Sequence, residues 1–335
     1  MTVPESMLAW QVPAQGDPAE VMTLAEIPVP VPGSGQALVE VWSTALNFPD
    51  VLMARGEYQE RPPMPYTPGI ELCGMIVAVG PGVERSRVGE RVIGTPTMPY
   101  GALARYAVVA GDDLFTAPPG LDDASASAMH IAYQTGWFGL YRRAAVRVGE
   151  TLLVNAAAGG VGSAAVQLGR AAGARVIGVV GSASKVEVAR SMGADLVIDR
   201  SCQDVVDAVR SFTNGRGADV AFDPVGGAAF TTAARSIAFE GRIVVVGFAG
   251  GEITQVALNH ALVKNYSILG LHWGLYRQKN PKLVRRAHDD LCNLVEAGGV
   301  KPLVSERLTF EEAAHGLSRL AKGDTIGRLT VLPPT

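Results

Sequence analysis

The segment Asn155-Ala156-Ala157-Ala158-Gly159-Gly160-Val161-Gly162 follows the apolar run Thr151–Asn155 and opens the helix-like run Val161–Ala172. A glycine-rich turn between a strand and a helix admits few folds, because it makes the helix double back closely on the strand it follows. Strand-like and helix-like stretches then alternate: Arg175–Val180, Lys185–Met192, Leu196–Asp199, Gln203–Phe212, Ala218–Asp223, Ala228–Phe239, Arg242–Gly247 and Ser267–Leu271. Such alternation predicts βαβ crossovers and a parallel sheet covered on both faces.

Set against the pattern GxGxxG, the key positions of the turn are Ala157, Gly159 and Gly162, so alanine replaces the first glycine. Gly159 lets the backbone approach a pyrophosphate, and Gly162 allows close helix–strand packing. Gly160 and Val161 begin the helix, whose N-terminus supplies amide donors and the positive end of its dipole. The chemistry implied is dinucleotide binding; the alternative is a tight turn with no ligand. Beyond the second strand a carboxylate would select NADH by holding the ribose hydroxyls. Here the run is Gly181-Ser182-Ala183-Ser184-Lys185. Ser182 offers a hydrogen bond, Lys185 a point charge, and Arg200 after the third strand can reach the same corner. This set favours NADPH, the alternative for Lys185 being a solvated helix residue.

The first 120 or so of the 335 residues read differently. Val-rich runs, Ala37–Val41, Cys73–Val79 and Arg105–Val109, stand between proline clusters such as Pro28 to Gly33 and Pro62, Pro63, Pro65 and Pro68, which cannot lie inside helices. They predict a small β-barrel or sandwich. Ala124–Arg143 has helical composition, and Leu303–Leu308 and Gly327–Leu332 are strands that can rejoin the first domain. The fold class predicted is α/β, with divisions at 1–123, 124–271 and 272–335.

A net charge of −3 with 18% charged residues argues against an electrostatic grip on nucleic acid or anionic lipid. Cys73, Cys202 and Cys292 lie far apart, so neither a disulfide framework nor a four-cysteine zinc site is available, and a reducing, cytoplasmic location is expected. Met1–Trp10 lacks both the basic start and the apolar core of a signal peptide. Thr151–Gly169, though uncharged, reads as buried αβ structure rather than a membrane span.

Several motifs together carry a family resemblance: Ala45-Leu46-Asn47-Phe48-Pro49-Asp50, Arg55-Gly56-Glu57-Tyr58, Pro68-Gly69-Ile70-Glu71-Leu72-Cys73-Gly74 with Val79-Gly80, Ala156–Gly162 with Gln167, and Asp223-Pro224-Val225-Gly226-Gly227. Over nearly its whole length the chain resembles the zinc-free quinone oxidoreductase branch, which includes zeta-crystallin, of the medium-chain dehydrogenase/reductase superfamily. That resemblance implies a Rossmann doubly wound parallel sheet inserted in a GroES-like β domain made from both chain ends. The zinc alcohol dehydrogenases of the same superfamily carry histidine at the position of Ile70 and cysteine at that of Asn47, so no catalytic metal is expected.

Without a Lewis acid, the chemistry implied is hydride transfer to an acceptor that delocalises charge itself, a quinone or an activated C=C bond in an enal, enone or enoyl thioester. By resemblance, Thr135 and the Gly247-Phe248 turn lie near the nicotinamide. Asn47 and Tyr58 match substrate-cleft positions: Asn47 would hydrogen-bond a carbonyl oxygen or fix its own turn, and Tyr58 would polarise or protonate the acceptor or serve as a rim aromatic. Arg328 would approach the cofactor phosphates or form a surface ion pair. His272 and Trp273 are weaker cleft candidates, Glu71 is read as structural, and Cys73 as a small buried hydrophobe. A homodimer through the edge strand Ser267–Leu271 is expected. The remaining alternative is an NADPH-binding structural or regulatory protein with little turnover.

Overall fold

The computed structural model describes residues 3–334; Met1 and Thr2, the start of the segment assessed for a signal peptide, and Thr335 lie outside them. Two compact units divide the chain, Met1–Ile131 with Pro302–Thr335, and Ala132–Lys301. Among the described residues no helix is long and apolar enough to cross a membrane.

The first unit starts with an antiparallel pair, β1 (Ser6–Gln11) and β2 (Thr23–Pro28), joined through α1 (Pro18–Val21), which Asp17 caps. Strands β3 (Gln36–Ala45), β4 (Leu72–Val79), β5 (Arg91–Pro96) and β6 (Tyr106–Thr116) pair antiparallel in turn, and β3 also pairs with β6. This closure pairs β6 back onto β3, so β6 is no free edge of the kind that invites aggregation. Alternation along β3 sends Ala37, Val39 and Val41 into one core with Leu72, Ile76, Val92 and Val109, while Leu38 joins Met7, Ala9 and Tyr106 on the opposite face. Between β3 and β4 lies α2 (Phe48–Ala54), with Asn47 at its N-cap and Pro49 in its first turn, where a missing amide costs nothing.

Next come α3 (Asp123–Ser127), α4 (His130–Trp137) and a π turn over Phe138–Arg143, so the predicted helix is broken at residues 128–129 and ends in a wider turn. The second unit is built on β7 (Thr151–Asn155), β8 (Arg175–Val180), β9 (Leu196–Asp199), β10 (Ala218–Asp223), β11 (Ile237–Val245) and β12 (Ser267–Gly270). They form one parallel sheet in the order β12-β11-β10-β7-β8-β9. The crossovers are α5 (Gly160–Ala171), α6 (Val186–Ser191), α7 (Val205–Phe212), α8 (Gly227–Ser236) and α9 (Leu258–Lys264). Strand β7 is buried throughout, as a strand covered on both faces must be. The helix predicted over Ala228–Phe239 stops at Ser236. Ile237 already pairs with Ala218, and the chain bulges before Arg242 pairs with Val220, leaving Glu240 at φ +57 and Phe239 71% exposed.

Helices α10 (Trp273–Lys279) and α11 (Pro281–Glu296) stay with the second unit, so its boundaries fall at 131/132 and 301/302 rather than at 123/124 and 271/272. The reason is packing: α11 buries Val284, Ala287 and Leu291, Gln134 Nε2 donates to Val284 O at 3.0 Å, and Trp137 Nε1 reaches Asp290 at 3.2 Å. Burying each large apolar side chain contributes about 1.5–3 kcal/mol. The chain then returns to the first unit as β13 (Val304–Leu308), α12 (Ala313–Ala321) and β14 (Arg328–Val331). Strand β14 lies antiparallel to β3, with Thr330 opposite Ala45, and β13 runs parallel on its other side. Trp10 Nε1 donates to Phe310 O at 2.8 Å, tying the two chain ends into one core.

Candidate active site

The sheet order reverses between β7 and β10, the position at which open parallel sheets leave a crevice. Asn155 ends β7 and Asp223 ends β10. Asn155 Nδ2 donates to Asp223 Oδ1 at 3.0 Å, and Asp223 also accepts from the amides of Val225 and Gly226. Burial pushes the Asp223 carboxyl up against these three donors. These bonds tie the ends of β7 and β10 together where the sheet order reverses.

Gly159 is the N-cap of α5, so the amides of Gly160, Val161 and Gly162 fall in the first turn, which has no intrahelical acceptors. A Cβ on Gly162 would lie 2.0 Å from Ala156 O, so only glycine fits. The substituted first position works by reciprocity: a Cβ on Gly178 of β8 would meet the Ala157 methyl at 2.9 Å, and glycine at 178 makes room for it. Sequence reading missed this pair, since Gly178 lies outside the motif.

Ser182 and Lys185 follow β8, in a short turn where Ser182 and Ser184 hydroxyls stand 3.0 Å apart. Arg200 follows β9, its amide donates to Val180 O at 3.0 Å, and its guanidinium lies against Gly181, whose Cβ would be 3.4 Å from Nη2. The fold thus brings Ser182, Lys185 and Arg200 to adjacent strand ends. The Asp199 carboxylate, at the end of β9, is turned toward Ser201, whose amide and hydroxyl donate to it at 2.9 and 2.7 Å and hold it below the usual range. Gly247 and Phe248 sit in a loop whose backbone pairs with residues 223–225, and a Cβ on Gly226 would strike Phe248 Cδ1 at 2.7 Å. Thr135 is buried on α4, which packs against α5 through Gly136 and Leu168.

The first unit contains a separate polar cluster. The β3–β14 register, extended from Ala45 and Thr330, puts Arg328 across from Asn47, while the β3–β4 register, extended from Thr44 and Leu72, puts Glu71 across from Ala45. Asn47, Glu71 and Arg328 are 2%, 0% and 7% exposed. Arg328 Nη1 donates to Asn47 Oδ1 at 2.8 Å and Nη2 pairs with Glu71 Oε2; Asn47 Nδ2 donates to Glu71 Oε2 at 2.9 Å and to Ala45 O at 3.0 Å. Glu71 Oε1 accepts from the Ile131 amide at 2.7 Å. Burial pushes the Glu71 carboxyl up, while Arg328 and the other donors pull against it. Asp50 accepts from the amides of Asn47 and Gly69, and its burial raises it to about 7.

These contacts correct two expectations. Arg328 is not a surface ion pair: it is 7% exposed and bonded to Asn47 and Glu71 inside the first unit. Asn47 cannot donate to a substrate carbonyl, because both hydrogens of its amide already have acceptors. Glu71, read as structural, proves to be the centre of the cluster. Tyr58 is half-buried against the core that contains Val51 and Phe310, and Cys73 is fully buried, its thiol pushed up to about 12. His272 stands at the N-cap position of α10 without a side-chain capping bond, and Trp273 is buried.

A closed GroES-type barrel joined to a doubly wound dinucleotide-type sheet defines a nucleotide-dependent oxidoreductase. Residues 33–119 match the family profile "Alcohol dehydrogenase GroES-like domain", and residues 160–289 match "Zinc-binding dehydrogenase". The chain is 36% identical over 292 residues to the quinone oxidoreductase-like protein 2 of Bos taurus, covering 87% of this chain and 83% of that one. It is 33% identical over 332 residues to the phthioceranic/hydroxyphthioceranic acid synthase of Mycobacterium bovis, covering 98% of this chain and 15% of that one. A crystal structure of Escherichia coli quinone oxidoreductase complexed with NADPH superposes with a TM-score of 0.90 at 26% identity, covering 97% and 100% of the two chains. The chain belongs to the zinc-free quinone oxidoreductase branch of the medium-chain dehydrogenase/reductase superfamily.

Proposed function

We propose that this protein is an NADPH-dependent reductase that passes hydride to a quinone. The observation that carries the cofactor is the convergence of Ser182, Lys185 and Arg200 at the ends of β8 and β9, with the Asp199 carboxylate held by Ser201. The glycine-lined turn fits a pyrophosphate, since its first-turn amides and helix dipole face an anion and no Cβ at Gly162 blocks the approach. NADPH, when bound, supplies a hydride from its reduced nicotinamide. Ser182, Lys185 and Arg200 hold the 2′-phosphate, Thr135, Gly247 and Phe248 orient the nicotinamide, and the Tyr58 hydroxyl polarises or protonates the acceptor oxygen. The relative named as a quinone oxidoreductase-like protein supports the acceptor class.

A zinc ion does not suit the donor set. At residue 47 an amide replaces a thiolate, and the guanidinium beside it would repel a divalent cation. Reduction of an activated C=C bond is the second reading, favoured by the match along a stretch of the phthioceranic acid synthase. Pairing of two copies along the outer side of β12, in a homodimer, is supported by that strand's place at the sheet edge and by Leu258, Leu262 and Val263 on α9, each at least 74% exposed, and a cytoplasmic location by the free state of Cys73, Cys202 and Cys292. A monomer in light scattering overturns the dimer.

The test is NADPH oxidation followed with benzoquinones, naphthoquinones, enones and enoyl thioesters, repeated with NADH. Activity confined to the thioesters rejects the quinone reading. Tight cofactor binding without turnover on any acceptor rejects reduction altogether. Lys185→Ala should weaken NADPH by about 1.5–3 kcal/mol, the range for a hydrogen bond to a charged group, and leave NADH nearly unchanged; equal losses reject the phosphate assignment.

A further inference from the structure

The net charge of −3 conceals an uneven distribution. Residues 253–288 contain no aspartate or glutamate and carry six cations, Lys264, Arg277, Lys279, Lys282, Arg285 and Arg286. Lys264 serves the fold, since its Nζ donates to the carbonyls of Ala234 and Arg235 at the end of α8. The other five fall within ten residues, across the end of α10 and the first two turns of α11. Lys279, Lys282 and Arg286 are exposed, and none of them forms an ion pair or a side-chain hydrogen bond among the described residues. Lys282 stands in a first turn with no acidic residue, where a cation opposes the helix dipole, so α11 gains nothing from it. Leu275, four residues before Lys279 and on the same face of α10, is 46% exposed.

Contacts within the second unit place this patch. Ala144 O accepts from Arg242 near the start of β11, while a Cβ on Gly139 would meet Phe222 near the end of β10 and Leu271 just beyond β12. The chain from Gln134 to Ala144 therefore runs from the crevice side of the sheet toward its opposite edge. Gln134 bonds Val284 and Trp137 bonds Asp290, so α11 runs alongside in the same direction and starts on the crevice side. The rings of Tyr276 and Phe138, 4.2 Å apart, hold α10 there as well. The five cations and Leu275 thus border the side of the sheet that carries the glycine turn. A single small anion needs donors fixed around it, whereas exposed cations that nothing holds in place, with an exposed leucine among them, suit a fluid anionic surface. We propose that the α10–α11 turn is a docking surface for an anionic lipid membrane, which brings the crevice side of the second unit to acceptors dissolved in that membrane. Delivery of an acceptor rests on the reductase reading, whereas docking does not.

The test is sedimentation with vesicles of phosphatidylcholine containing one-third phosphatidylglycerol. The unaltered protein should sediment with them at low salt, be released as salt is raised, and stay in solution with phosphatidylcholine alone, because ions screen a surface attraction. The neutral triple variant Lys279→Gln/Lys282→Gln/Arg286→Gln should bind the anionic vesicles about tenfold more weakly, with melting temperature and NADPH affinity unchanged. Its reduction of a long-chain quinone held in those vesicles should fall in proportion, while reduction of a water-soluble benzoquinone is unchanged. Failure of the unaltered protein to sediment with the anionic vesicles, or equal binding by the triple variant, overturns the docking. Retention on immobilised polyglutamate without vesicle binding assigns the patch to an acidic protein and overturns it too. Equal losses on the two quinones would show damage to the reaction itself and overturn delivery from the membrane. Vesicle binding as expected, with no turnover on any acceptor, upholds the docking and rejects the reductase reading alone.

Discussion

The two polar centres of the molecule are built by opposite means. In the second unit the proposed cofactor cradle is largely backbone, a glycine turn and the first amides of α5, with three side chains at the ends of neighbouring strands. In the first unit the cluster is made of side chains from residues 47, 71 and 328, buried and paired through two antiparallel registers on either side of β3. The first design tolerates substitution wherever the backbone path survives, as the alanine at position 157 shows. The second depends on each partner, because a buried charge without its counterion has no replacement for lost water.

That contrast predicts its largest effect at Glu71. Glu71→Ala leaves the Arg328 guanidinium buried with only Asn47 Oδ1 as acceptor, and the loss should be about 3–5 kcal/mol in urea denaturation. A loss below about 1 kcal/mol would mean that water reaches the cluster. In the cradle the corresponding test is Gly162→Ala. The added methyl meets Ala156 O, so the turn must shift, which costs about 1–3 kcal/mol. NADPH affinity, read by fluorescence titration, should fall more than tenfold while the first-unit cluster is untouched. Unchanged affinity would show that the first turn of α5 does not carry the pyrophosphate.

How much of each centre could be read in advance follows from the same difference. The turn of the cradle lies on contiguous residues whose spacing reflects its geometry, so Gly159 and Gly162 are legible as a strand-to-helix turn, and Ser182, Lys185 and Arg200 as residues that follow the next two strands. Gly178 is not, because its contact with Ala157 depends on the packing of neighbouring strands. Arg328 was misread because nothing local in Gly327–Leu332 reveals that β14 inserts beside β3, 281 residues away from Asn47. The edge of the second unit was misjudged for a related reason. Helix α11 carries ordinary surface composition along most of its length, and only the contacts of Val284 and Asp290 with α4 assign it.

Acidity offers a finer test of the first-unit cluster. Asp50 rises from 3.8 to about 7 because burial outweighs its two amide donors and Arg328, with Glu71 pushing the same way. Below pH 4 folded and unfolded chains both hold the proton. Between about 4 and 7 the folded chain holds it and the unfolded chain has released it, so stability falls as pH rises through this window, by at most about 1.4 kcal/mol per pH unit from this group, and is level above 7. Asp50→Asn should flatten the slope between pH 5 and 7, whatever constant loss the new amide brings by facing backbone donors. An unchanged slope would mean that Asp50 is ionised throughout and that the cluster is wetter than its burial implies.

The smallest effect concerns the backbone of the cradle. Ala156 has φ +52, a left-handed conformation that costs an L-residue about 1–2 kcal/mol, and its side chain is exposed, so the methyl buries little. Ala156→Gly should relieve that strain while making the unfolded chain freer by about 0.4–1 kcal/mol. The net gain, about 0.5–1 kcal/mol, should appear as a small rise in melting temperature with NADPH affinity unchanged, because the carbonyl of residue 156 still accepts from Gly159. A fall in stability would show that the alanine restricts the unfolded chain more than it strains the turn. A fall in affinity at constant stability would show instead that the cradle needs a stiff entry, and that its tolerance of substitution stops one residue before Ala157.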